Sequence, residues 1–221
     1  GSPVQRGDVL PLLGVICFGG VVGPLAMLRG LNRLGALTGS LLLNLEAPLT
    51  ILLAVLFFGE HMGRCAAAAA VLIIGGAALL KLQPRTTAAD GWGVVLIASA
   101  CLCWALDNNL TQRLSLRDPL ALVRVKALAA GSFNLLIALL LSASFPRPSL
   151  VASALLLGSI SYGVSVVLDA YAMRLVGAAR EAAFFATAPF IGALASVLLC
   201  GDQLGLVDVG AMTIMSLGIA L

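Results

Sequence analysis

Charge is scarce in this chain: Asp, Glu, Lys and Arg together make up 10% of 221 residues, and aromatic residues 5%. A soluble domain carries roughly 25% charged residues, so a water-facing surface could not be covered. The single histidine, His61, excludes a metal site or proton relay built from several imidazoles. The five cysteines, Cys17, Cys65, Cys101, Cys103 and Cys200, show neither metal-ligand spacing nor a secreted disulfide framework, and read as small apolar side chains. There is no HExxH, no phosphate-binding glycine loop and no Ser-centred nucleophile elbow. The usual starting points for an enzyme are therefore missing. The expectation is a non-enzyme with no cofactor and no metal. A formal charge of +3 is too small to suggest nucleic acid.

What remains is apolar. Hydrophobic residues reach 61% and the mean hydropathy is +1.09. Runs of about 20 such residues recur, each enough to cross a hydrocarbon layer of about 30 Å. Eight spans are expected, over 9–28, 37–58, 66–82, 91–110, 120–141, 150–171, 178–199 and 206–221. The longest breaks, 81–90 and 142–149, hold Pro84, Pro146 and Pro148, which cannot continue a helix. The class implied is an all-α integral membrane protein, with the lipid bilayer as its first partner.

The chain also repeats itself. Gly35-Ala36 to Gly59-Glu60-His61-Met62-Gly63 returns as Gly177-Ala178 to Gly201-Asp202-Gln203-Leu204-Gly205, always 142 residues on. Leu52, Val55, Leu56, Ala69, Gly76, Ala78 and Leu79 meet identical residues at that offset. Five spans separate the copies, and an odd number turns the second one over, the arrangement of many secondary transporters. The second half holds five spans and the first three. The repeat therefore predicts two further spans ahead of Gly1 and a ten-helix fold of two inverted five-helix repeats. Residues 1–82 would carry the last three helices of the first repeat, and 91–221 the five of the second, the last cut short. Arg6, Arg64, Arg113, Arg117, Arg124, Lys126, Arg174 and Arg180 fall on one side, against Arg29, Arg33, Lys81, Arg85 and Arg147 on the other. The excess places the first side, and the C-terminus of the whole protein, in the cytoplasm.

Ionisable residues inside lipid are costly and are functional candidates by default. Glu46 lies near the middle of its span, beside Asn44 and Pro48. Pro48 has no amide hydrogen, so the carbonyl of Asn44 loses its helical partner. The group would suit an ion, a proton or a polar solute; alternatively, Glu46 only caps a polar group of another helix. Pro189 does the same for Phe185 in the second copy, where Ala188 stands in place of the acid. Trp104, Asn108 and Tyr162 complete the candidate binding set, with Asn109 and Asn134 as either ligands or interhelical glue. Asp107 falls level with Arg124 and Lys126 when the hairpin between their spans is folded about residue 116. That pattern reads as a structural intramembrane ion pair, with binding of a substrate anion as the rival.

Asn44-Leu45-Glu46-Ala47-Pro48 followed by Gly59-Glu60, and Leu175-Val176-Gly177-Ala178-Ala179 leading to Ala188-Pro189 and Gly201-Asp202, resemble the signature of EamA-type proteins of the drug/metabolite transporter superfamily. Trp104, Asp107-Asn108-Asn109, Asp118-Pro119 and Lys126 resemble the opening of that family's second repeat. The resemblance covers nearly the whole chain. It implies a central cavity, alternating access, a prokaryotic inner membrane, and export of a small polar or drug-like solute. Protons as coupling ion and a homodimer stay open, as do the rival readings of a channel or receptor without alternating access and of a membrane-embedded enzyme. Ala47 departs from the family's adjacent Glu-Pro pair and shifts Pro48 by one residue.

Overall fold

The computed structural model describes residues 6–58, 63–80, 91–114, 118–176 and 187–220. Among these residues all regular structure is helical, and no strand occurs. Among the described residues, eight long or apolar helices follow in the order of the eight expected spans. They are α1 (Val9–Leu34), α2 (Ala36–Leu42, Leu43–Leu45 and Glu46–Phe58 in continuation), α3 (Arg64–Leu80), α4 (Gly91–Leu114) and α5 (Pro119–Leu140). Then come α6 (Pro148–Gly158, Ser159–Val164 and Ser165–Val176 in continuation), α7 (Ala188–Cys200) and α8 (Leu206–Ile219). Five of them hold stretches long and apolar enough to cross a membrane, and α3, α7 and α8 are shorter apolar helices. The first part of the span expected over 178–199, with Phe185, lies outside the described residues.

Helix ends follow local chemistry. α1 runs six residues past its expected end, because Arg29 and Arg33 interrupt hydropathy without breaking a helix. It stops at Gly35, whose φ of 79° and ψ of 166° fall in a region open essentially to glycine alone. α5 starts where Asp118 caps it: its carboxylate accepts from the Leu120 amide at 3.0 Å, with Pro119 in the first turn, where a missing N–H costs nothing. α7 closes on Gly201 in the left-handed conformation, φ 72°, a common glycine helix end.

The chain divides into two compact units, Gly1–Val21 with Leu110–Glu181, and Val22–Asn109 with Ala182–Leu221. In the first, Val15, Leu114 and Leu122 are buried together, with Leu12 and Leu110 against them. No residue of Pro148–Val164 is buried. Leu155, Leu156 and Leu157 are 65–67% exposed, although three successive helical positions point in different directions. A helix apolar all round belongs in lipid.

The second unit has the larger core, with Leu41, Leu80, Ile97, Cys101, Ala193, Ala211 and Met215 at its centre. Its tightest seam joins α3 to α8. A Cβ on Gly76 would stand 2.6 Å from Met215 Cγ and 3.1 Å from Ala211 O. One on Gly218 would stand 3.0 Å from Ala69 O and 3.1 Å from Ile73 Cγ1 and Leu72 Cβ. Gly210 faces Leu79 Cδ2 at 3.5 Å. Partner numbers fall on one helix as they rise on the other, so the pair is antiparallel. The contacts are also reciprocal. Gly76, Ala69 and Ile73 become Gly218, Ala211 and Met215 at the 142-residue offset, and each glycine packs on the other copy's partners. Such self-complementarity is the mark of a two-fold relation.

Candidate functional site

In the Val22–Asn109/Ala182–Leu221 unit, α2 is broken. Ala36–Leu42 and Glu46–Phe58 are α-helical, while Leu43–Leu45 tightens to a 3-10 turn in which the Glu46 amide donates to Leu43 O. The cause is Pro48, which is buried. It offers no amide to Asn44 O, and its ring crowds that carbonyl, so the turn before it must rearrange. The break sits midway along the span, where water is not available to repair the ladder.

Glu46 opens the second piece of α2. Its Oε1 accepts from Asn108 Nδ2 of α4 at 2.7 Å, a short bond between residues 62 apart in sequence. The facing strip of α4 supports it. One turn before Asn108 stands Trp104, half-buried. Asn109 Nδ2 donates to Ala105 O at 2.8 Å on its own helix and to Thr50 O at 3.1 Å on α2. Thr50 Oγ1 in turn donates to Glu46 O at 2.9 Å. The buried Cys101 lies with its thiol 3.8 Å from Leu42 O and 3.7 Å from Leu43 O, against the carbonyls that the break disturbs. A carboxyl, two amides, a hydroxyl and a thiol therefore meet at one helix break, along a single face of α4.

Asn44 goes elsewhere. It is 3% exposed, and its Nδ2 donates to Leu41 O at 3.1 Å and approaches Met215 Sδ of α8 at 3.8 Å. Its Oδ1 is buried without a partner. Two helical steps turn the chain by about 200°, so Asn44 and Glu46 point to opposite sides of α2. Pro189 lies in the first turn of α7, where Phe190 and Ile191 amides return to Thr187 O at 3.1 and 3.3 Å.

Of the other expected residues, Tyr162 lies in α6, 43% exposed. Asp107 is 6% exposed in one unit. Lys126 is 9% exposed and Arg124 exposed in the other. Sequence reasoning missed Thr50 and Cys101. Thr50 follows Glu46 by one turn, a spacing that could have shown its hydroxyl returning to the Glu46 carbonyl. Nothing in the sequence brings Cys101 to the break.

Apolar helices long enough to cross a bilayer, one of them broken at a half-buried acid, define a multi-pass membrane protein with a polar interior site. The chain matches the EamA-like transporter family over residues 1–82 and 91–221, and belongs to it. An uncharacterized transporter of Methanothermobacter thermautotrophicus is 30% identical over 213 residues, covering 93% of this chain and 62% of its own length. An uncharacterized protein of Pseudomonas aeruginosa is 31% identical over 173 residues, covering 78% and 59%. This chain thus spans about six tenths of the length of these relatives. A solved crystal structure shares the fold, with a TM-score of 0.71 and 19% identity over 100% of this chain and 78% of its own. The family and the Methanothermobacter relative both carry the name of a transporter.

Proposed function

We propose that this chain belongs to a secondary-active transporter that exports a small polar or drug-like solute by alternating access. Its fold would be ten helices in two inverted five-helix repeats, in a prokaryotic inner membrane with the C-terminus in the cytoplasm. The observation that carries the reading is the 2.7 Å bond from Asn108 Nδ2 to Glu46 Oε1 at the break of α2. An acid held at mid-membrane by a neutral donor on another helix can bind a polar solute or exchange a proton, and a broken helix supplies main-chain carbonyls at the same depth. Trp104 would form one wall beside this pair, and Phe185 and Pro189 would contribute from the second repeat. The reciprocal antiparallel seam of α3 and α8 supports the inverted arrangement.

The test is flux in proteoliposomes holding the full-length protein. Compounds that raise its thermal stability identify solutes, because binding stabilises the native state. Transport of such a solute should follow an imposed proton gradient. Glu46→Gln keeps an acceptor for Asn108 but carries no exchangeable acid proton, so the gradient should lose its effect while ligand stabilisation survives. Gradient-driven flux unchanged in that variant refutes the coupling role. Cysteine pairs at the two mouths should crosslink alternately; mouths open together would indicate a channel.

A further inference from the structure

Two cations crowd one end of the Val22–Asn109/Ala182–Leu221 unit. Arg29 and Arg33 stand one turn apart near the end of α1, and both are exposed. The run from Val9 to Leu28 carries no charge and is about 30 Å long as a helix, so Arg29 stands at the edge of the hydrocarbon. Among the described residues neither arginine forms an ion pair. Arg29 Nη1 reaches Leu25 O only at 3.4 Å, beyond the usual hydrogen-bond range. Like charges at this spacing repel. The helix dipole favours cations at this end but supplies no anion to lie between them.

α4 begins beside them. A Cβ on Gly30 would stand 2.7 Å from Ile97 Cγ1, and one on Gly93 would stand 2.7 Å from Leu34 Cγ and 3.1 Å from Arg33 Cβ. Partner numbers fall on α4 as they rise on α1, so the helices are antiparallel, with Gly30 and Gly93 on their seam. One step back along a helix turns by about 100°. From Gly30 that step leads to Arg29, and from Gly93 to Trp92. In an antiparallel pair both steps turn to the same side of the seam, and Arg33 falls on that side too. Trp92 is 59% exposed. Towards the membrane centre the exposed side chains on this side are apolar: Val22 lies two turns before Arg29, and Val95 one turn after Trp92.

We propose that Arg29, Arg33 and Trp92 form a seat for the phosphodiester of an anionic phospholipid, whose acyl chains lie against Val22 and Val95. A guanidinium grips phosphate oxygens in pairs, its stem lies along apolar surface while its head stays at the interface, and a tryptophan ring settles at headgroup depth. Any one of these anchors a helix in any membrane. Two guanidiniums without acid partners, beside a ring and above an apolar strip, select negative charge that carries a hydrocarbon tail. A soluble anion would use the arginines and leave the strip idle. The seat rests on no assumption about transport.

Native mass spectrometry of the full-length protein in neutral detergent, titrated with phosphatidylglycerol, reads the seat. Affinity should fall about fivefold in Arg29→Gln or Arg33→Gln and about 25-fold in the double variant, since a basic residue near anionic lipid is worth about fivefold. Arg64→Gln, at the start of α3, should leave it unchanged. Glycerol 3-phosphate, which offers the headgroup charge without chains, should not displace the lipid at equal concentration. Equal affinity in the parent and the double variant overturns the seat, and so does displacement by glycerol 3-phosphate, which would make it a site for soluble anions. A second measurement needs no arginine variant. Trp104→Phe leaves Trp92 as the single tryptophan, and brominated phosphatidylglycerol should quench its fluorescence more than brominated phosphatidylcholine does. Equal quenching by the two lipids overturns the preference for anionic lipid.

Discussion

A single methyl group added to the α3–α8 seam tests the packing of the larger unit. In Gly218→Ala the new Cβ would lie 3.0 Å from Ala69 O and 3.1 Å from both Ile73 Cγ1 and Leu72 Cβ, where ordinary contact begins at 3.4 Å. A carbonyl and a Cβ cannot rotate aside, so the helices must part by a few tenths of an ångström. Overpacking of this kind costs about 1–3 kcal/mol, against about 0.5–1 kcal/mol gained by alanine over glycine in a helix. The net effect expected is a loss of about 1 kcal/mol. Gly76→Ala meets the fully buried Met215 at its Cγ, 2.6 Å away, and the main-chain Ala211 O at 3.1 Å, so its loss should be at least as large. The neighbouring Gly75 has nothing within 4 Å, so Gly75→Ala should stabilise by about 0.5–1 kcal/mol. Reversible unfolding in mixed micelles should rank Gly75→Ala above the unaltered protein, and Gly76→Ala and Gly218→Ala both below it. A Gly218→Ala variant as stable as its parent would mean that these helices are not in contact there.

Gly35→Ala should cost about 1–3 kcal/mol, because a φ of 79° with ψ of 166° strains any side chain; thermal unfolding measures it. Asn108→Asp replaces the donor to Glu46 with a second acceptor and should destabilise by about 2 kcal/mol. Combining it with Glu46→Gln restores one donor and one acceptor and should recover most of the loss; no recovery would mean that the two side chains do not meet. A lipophilic maleimide should label Cys17, Cys65 and Cys200, which are exposed, and spare the buried Cys101 and Cys103 until the protein unfolds. A fourth label on the folded protein would contradict that burial.

Much of this architecture can be read from residue order, because each helix needs about 20 apolar residues and announces its ends with glycine, proline or charge. The break in α2 was equally legible, since the missing amide of Pro48 names the carbonyl it disturbs. Pairings between helices were not. Asn108 and Glu46 were each visible as polar residues in lipid, but nothing local says that they touch. Grouping Asn44 with Glu46 overlooked helical geometry, which sends residues two apart to opposite faces.

The outward face of α6 carries a practical consequence. With no residue of Pro148–Val164 buried, the orientation of this segment depends heavily on whatever fluid surrounds it. Pro148–Asp169 counts 22 residues, about 33 Å of helix, a fair match to an ordinary bilayer. Short-chain detergent, or vesicles of thin lipid, should therefore loosen this segment first and leave the α3–α8 seam intact. The solubilising agent becomes part of the molecule's structure rather than a neutral medium.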